Sequence, residues 1–83
     1  MFYVYVLESE RNGKYYVGST AQPEDRLKAH NAGKVRSTKA YLPYRIIHKE
    51  AFLTYTEARR RELDLKKRKS RRFIRELVCR GVA

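Results

Sequence analysis

The sequence predicts an α+β fold: one small domain over residues 1–83, a three-stranded, mostly antiparallel sheet flanked by helices in the order β-β-α-β-α-α. Three observations carry this expectation. Aromatic and β-branched residues gather in three short runs, near residues 2–7, 15–18 and 44–52. Residues that start helices (Pro23, Thr54 or Thr56, and Ser70) precede the remaining stretches. No repeat, linker or low-complexity tract interrupts the 83 residues, which suffice for a single core.

The first strand, Phe2-Tyr3-Val4-Tyr5-Val6-Leu7, is apolar or aromatic at every position, as a central strand covered on both faces requires. Tyr15-Tyr16-Val17-Gly18 forms the second strand. Asn12-Gly13 lies between them and is a strong signal for a type I′ hairpin turn. A tight turn there pairs residue 11 with 14. Tyr3, Tyr5 and Leu7 then share a face with Tyr16, Gly18 and Thr20. It also offsets Tyr5 from Tyr16 by four residues, roughly 13 Å along the sheet. Slips of two residues preserve the shared face, so the face is the firmer expectation.

Pro23 at a first helical position, followed by Glu24 and Asp25, opens a helix that runs through Arg26, Leu27 and His30 and stops at Gly33. A basic loop, Lys34 to Lys39, closes with Pro43. Tyr44 to Phe52 reads as a third strand, in which Arg45 and His48 break a clean alternation. Thr54 or Thr56 caps a second helix beginning near Glu57. Ser70 caps a third, with Phe73, Ile74, Leu77 and Val78 as its apolar stripe.

Charge is distributed unevenly along this framework. Residues 1–33 carry four acidic and four basic side chains, while Arg59 to Arg80 hold eleven of the twenty basic residues. The formal net charge of +11 therefore lies toward the C-terminal half. One strongly positive end on a small domain implies a polyanionic partner, first of all nucleic acid. Arg59, Lys66, Lys67, Lys69, Arg71 and Arg72 are the expected phosphate contacts, which position a strand without reading its sequence. The lone Cys79 excludes an intramolecular disulfide and a multi-cysteine zinc site, and fits a reducing compartment. No apolar run approaches the ~18 residues of a membrane span. The short apolar run Phe2 to Leu7 has no basic leader and no small-residue cleavage site, so it does not read as a signal peptide. A cytoplasmic protein with no membrane and no obligate small-molecule substrate is expected.

Several residues in this frame could carry chemistry. Glu62 falls on the same helical stripe as Ala58 and Leu65, so its carboxylate points toward the core side of the second helix. Two readings are open: pairing with Lys66 or Arg59 at the surface, or service as a single-carboxylate magnesium ligand. Arg26 and His30, four apart, project from one helix face; one suits a phosphate, the other a proton. Tyr5 and Tyr16 share a sheet face. Each alone fits a structural role, but together they are the parts of a metal-assisted phosphodiester hydrolysis site.

The ordered set Tyr3-Val4-Tyr5, Tyr16-Val17-Gly18-Ser19-Thr20, Arg26-Leu27, His30-Asn31 and Gly33, with Glu57-Ala58, Arg61-Glu62 and Lys66-Lys67 downstream, resembles a GIY-YIG nuclease domain. More narrowly, it is similar to the small stand-alone GIY-YIG proteins of bacteria, relatives of the excision-repair nuclease subunit. The resemblance covers nearly all of the chain. It implies that Tyr5 and Tyr16 match the tyrosines of the two half-motifs and Gly18 the closing glycine. It further implies that Arg26 matches the catalytic arginine, Glu62 the metal-binding glutamate and His30 a histidine frequent in this branch. Tyr3 stands in place of the first glycine, and Val4 and Val17 in place of isoleucines. The implied activity is Mg²⁺- or Mn²⁺-dependent hydrolysis of DNA without a covalent intermediate, in a DNA-repair setting. The alternative is a non-catalytic or partner-dependent nucleic-acid-binding module. A protein-interaction or membrane-surface role is the remaining possibility.

Overall fold

Strand β1 (Phe2–Ser9) forms the middle of the sheet, with β2 (Tyr15–Thr20) on one side and β3 (Tyr44–Phe52) on the other. Both pairings are antiparallel. The computed structural model describes residues 1–36, 39–68 and 70–82, with side chains through residue 79. Three helices complete the predicted order: α1 (Pro23–Asn31), α2 (Tyr55–Lys67) and α3 (Arg71–Val82), with one 3₁₀ turn at Lys39–Tyr41. The α+β class and β-β-α-β-α-α order agree with the sequence reading.

The central strand is apolar throughout because both of its faces are covered. Val4 and Val6 pack with Val17 against Ala58, Leu65 and Ile74 of α2 and α3. Tyr5 and Leu7, on the other face, pack with Tyr44, Tyr16 and Leu27 beneath α1. Each sheet face thus has its own core. Burying apolar area on both sides is what allows so short a chain to hold a sheet.

The hairpin corrects the expected turn. Tyr5 pairs with Gly18 and Leu7 with Tyr16, and Ser9 N–H donates to Lys14 O at 2.8 Å. The connection is therefore four residues long, and the register is slid by two from that of a tight Asn12-Gly13 turn. Gly13 has φ of 74°, but Asn12 does not adopt positive φ, so the type I′ geometry is absent. Ser9 organises the wider loop: its buried Oγ accepts from Arg11 N–H and Asn12 N–H and donates to Tyr41 O at 2.6 Å. A slip of two preserves side-chain parity, so the shared face of Tyr5 and Tyr16 survives. Their offset falls from four residues to two.

A bulge explains the irregular third strand. Val6 pairs with His48 but Leu7 with Ile46, leaving Ile47 as the extra residue. Ile47 thereby joins the core beneath α2 and α3. His48, on the same side, bonds Glu50 at 2.7 Å. Glu50 in turn takes the Arg61 guanidinium on both oxygens, at 2.9 and 3.2 Å, tying α2 to β3.

The helix ends follow their chemistry. α1 stops in a Schellman arrangement: Lys34 N–H reaches Ala29 O, Gly33 N–H reaches His30 O, and Gly33 sits at φ 75°. Thr54, not Thr56, caps α2, accepting from Glu57 N–H and donating to Glu57 Oε1. The helix accordingly begins at Tyr55, two residues before the expected start. Ser70 caps α3 by accepting from Phe73 N–H at 3.0 Å.

Candidate active site

Five residues from four elements lie around β2, one of the two edge strands. Tyr5 comes from β1, Tyr16 from β2, Arg26 and His30 from α1, and Glu62 from α2. The helices approach from opposite faces of the sheet. α1 lies over the Tyr5–Tyr16 face, whereas α2 covers the Val4–Val17 face. Glu62 reaches the site along the β2 edge, where Ser19 Oγ donates to its Oε1 at 2.5 Å.

Tyr5 is 2 % exposed, and its ring lies across Gly18, its partner in the register. Its hydroxyl is 3.3 Å from His30 Nε2, and the Arg26 guanidinium is within hydrogen-bonding reach. Burial raises the pKa of Tyr5 above its ordinary 10.0, and the charges of Tyr16 and Glu62 push the same way. Arg26 opposes them without cancelling the effect. Tyr5 is therefore a neutral phenol near neutral pH.

His30 is fully buried among aromatic rings, with Tyr16 edge-on at 4.9 Å and the centroids of Tyr5 and Tyr44 at 6.2 and 6.3 Å. Burial, together with the nearby Arg26 charge, lowers its pKa to about 4. A neutral imidazole results. The next residue, Asn31, fixes this end of α1 to the sheet: its amide donates to Tyr44 O and accepts from Tyr44 N–H, at 3.0 and 2.7 Å.

Glu62 is only 4 % exposed yet stays ionised. Burial opposes its charge, but hydrogen bonds from Lys66, Ser19 and Arg59 outweigh that and hold the carboxyl below its ordinary 4.5. Lys66 Nζ and Arg59 Nη1 both sit on Oε2, at 2.7 and 2.9 Å. The two readings of Glu62 in the sequence thus combine. It does pair with Lys66 and Arg59, but as a buried carboxylate facing the site and not as a surface ion pair.

The expected phosphate contacts do not form one cluster. Arg59 and Lys66 flank Glu62. Lys67 lies on the outer side of α2, lining a shallow groove with Arg60 and Leu63. The Arg71 guanidinium lies beside Gly13 of the hairpin loop. Arg72 is almost fully exposed, with Glu76 3.4 Å away. Lys69 lies outside the described residues. Two contributors were missed by sequence reasoning: Ser19, which orients Glu62, and Asn31, which anchors His30. Both stand inside the motif set quoted above, and their positions beside Gly18 and His30 were the available signal.

A roomier groove of about 490 Å³ opens elsewhere, lined by Phe52, Glu57, Arg60, Arg61 and Asp64, with none of the five site residues. Its inner charges already satisfy one another, Arg61 being held by Glu50 and Asp64. Size alone does not make it the reactive centre. Among the described residues, no helix is long and apolar enough to cross a membrane.

Comparison with known proteins identifies the family. Residues 1–75 match the model of the GIY-YIG catalytic domain. A UPF0213 protein of Bacillus licheniformis is 44 % identical over 84 residues, covering 96 % of this chain and 86 % of its own. A UPF0213 protein of Streptococcus pneumoniae is 43 % identical over 68 residues, covering 81 % of this chain and 68 % of its own. The solution NMR structure of a UPF0213 protein from Bacillus halodurans superposes with a TM-score of 0.57 at 37 % identity, over 95 % of this chain and 84 % of that one. The chain belongs to the GIY-YIG family, among whose small members the UPF0213 proteins are its similar relatives.

Proposed function

We propose that the protein is a metal-dependent endonuclease that hydrolyses DNA phosphodiester bonds through water activated at one metal ion. The observation that carries this reading is an ionised, nearly solvent-free Glu62 within electrostatic range of Tyr5, whose hydroxyl contacts His30 and lies within reach of the Arg26 guanidinium. The GIY-YIG family as a whole supports a nuclease and a nucleic-acid substrate.

Glu62 would hold Mg²⁺ or Mn²⁺. Mg²⁺ keeps most of its waters and needs only one or two protein oxygens, so one carboxylate suffices. Among the described residues no group of three or more His, Cys, Asp or Glu side chains converges, so a multi-carboxylate cage is not available. Ser19 fixes one carboxylate oxygen, and the side chains on the other, Arg59 and Lys66, are nearly half exposed and free to swing outward. The residues present fit the ion. Bound there, it would supply Lewis-acid activation of water and charge compensation on the phosphate.

The remaining work falls to side chains of this chain. Arg26, exposed at the mouth beside Tyr5, is suited to grip a phosphate oxygen and offset its developing charge. Tyr5 and His30, both neutral, share a hydrogen bond through which a proton can pass between phenol and imidazole. The Glu62 charge disfavours ionised Tyr5. Burial is the larger cause of the upward shift, and neutralising that carboxylate removes the smaller part that its charge adds. Tyr16 packs edge-on against the His30 ring.

A second reading, a nucleic-acid-binding module idle without a partner, draws on one observation: Glu62 Oε2 is already covered by two cations. Supercoiled-plasmid nicking separates the two. Metal-dependent nicking by wild type that Glu62→Ala loses, with binding retained, establishes the nuclease. Tight, salt-dependent DNA binding with no nicking by either protein, on plasmid or branched DNA, favours the binding module.

A further inference from the structure

The Glu62 carboxylate carries more positive charge than it needs. Arg59 and Lys66 both converge on Oε2, at 2.9 and 2.7 Å, while Ser19 satisfies Oε1. Glu62 comes from the floor, with a side chain 5 % exposed; Arg59 and Lys66 come from the rim, with side chains 46 % and 43 % exposed. They leave α2 three residues before and four residues after Glu62 and fold back over it. Two long flexible cations are thus parked on one buried anion at the lip of the site.

We propose that Arg59 and Lys66 form a masked phosphate-binding site that opens when Glu62 takes up a divalent cation. The proposal rests on the reading of Glu62 as the cation's ligand. With the carboxylate so occupied, two further positive groups on the same oxygen are repelled by like charge. Both side chains have solvent on their outer side and swing there without disturbing the core. A nucleic-acid backbone in the site offers them phosphate oxygens in exchange for the carboxylate. Cation and nucleic acid then strengthen each other's binding, by the same factor in each direction. This sign is the reverse of the ordinary effect, in which divalent cations compete for phosphates and weaken association.

The test is the affinity of a short labelled duplex by fluorescence anisotropy, with and without Mg²⁺ at matched ionic strength, the duplex checked intact on a gel. Wild type is expected to gain affinity with Mg²⁺, on the order of tenfold. Glu62→Gln, which holds neither cation firmly, is expected to show the raised affinity without Mg²⁺ and no further gain. Arg59→Gln/Lys66→Gln changes only half-exposed groups and is expected to fold and to lose the gain. Unchanged or falling wild-type affinity on Mg²⁺ addition overturns the proposal, as does a full gain in the double variant. Nicking measured in parallel keeps the two readings apart. Metal-dependent nicking without an affinity gain removes the coupling alone; a gain without nicking keeps the coupling and removes the nuclease.

Discussion

The ring of Tyr5 occupies the space that a side chain at Gly18 would need. A Cβ at residue 18 would stand 2.5 Å from the Tyr5 hydroxyl oxygen and 2.7 Å from its Cζ. Gly18 is not at positive φ, so the demand is for room and not for backbone freedom. Gly18→Ala is expected to displace the Tyr5 ring, break its contact with His30 and cost about 1–3 kcal/mol. Replacing Tyr5 with Leu in that background removes the obstructing ring. Denaturant melts should then find Gly18→Ala/Tyr5→Leu less destabilised than the sum of the single changes, with nicking absent in both Gly18 variants.

Glu62→Ala is expected to abolish metal-dependent nicking while DNA affinity without metal holds or rises, since Arg59 and Lys66 lose their partner. Plasmid nicking and anisotropy on one preparation check both halves. A variant that still nicks at the wild-type rate removes Glu62 from the chemistry.

His30 gives a pH signature. Its pKa is lowered to about 4 from 6.5, so between these values the unfolded chain binds a proton that the folded one refuses. Stability is therefore unaffected by this group above pH 6.5, falls as the pH drops toward 4, and levels off below. The full amplitude is about 3 kcal/mol. His30→Gln should lose that slope. NMR titration of the wild-type imidazole should show it still neutral at about pH 5.5, a unit below the ordinary value.

The two depressed carboxyls act at lower pH. Glu62 and Glu50 are each held below 4.5: burial opposes ionisation, but bonds from Lys66, Ser19 and Arg59 in the first case, and from Arg61 and His48 in the second, prevail. Their contribution is present above 4.5 and is lost as pH falls through the folded values. Acid unfolding of Glu50→Gln, followed by circular dichroism, should show a shallower loss below 4.5 than wild type.

Asn31→Ala removes both hydrogen bonds to the Tyr44 backbone. The expected cost is about 1–2 kcal/mol, or roughly 4–15 °C in the melting temperature of a domain this size. Thermal melts measure it directly, and loss of activity in excess of the lost stability would show that the clasp also positions His30.

Much of this arrangement is legible in the chain, and the gaps have physical reasons. β3 has the bounds its composition indicates, and the Tyr5–Tyr16 face is right although the turn is not, because the register slid by two and parity repeats every two residues. The turn misled because Asn12-Gly13 reports only local preference. Ser9, buried and bonded to Tyr41 across the fold, favours a longer loop. The bulge at Ile47 left only an irregular alternation as its trace. Periodicity placed Glu62 toward the core, but could not show that α2 covers the face opposite α1. Nor could it show that the charge run would scatter, with Arg71 at the hairpin loop and Arg59 over Glu62.

The position of β2 at the sheet's edge limits how this fold can be elaborated. A fourth strand added there would lie alongside Ser19 and its partner Glu62, so a peptide that lengthened the sheet on that side is expected to hinder access to both. On the far edge Asn31 already fills the first pairing position of β3. Growth that spares the site is left to the later part of β3 and to the loops, which makes the outer edge of β2 the stretch of backbone least free to acquire neighbours.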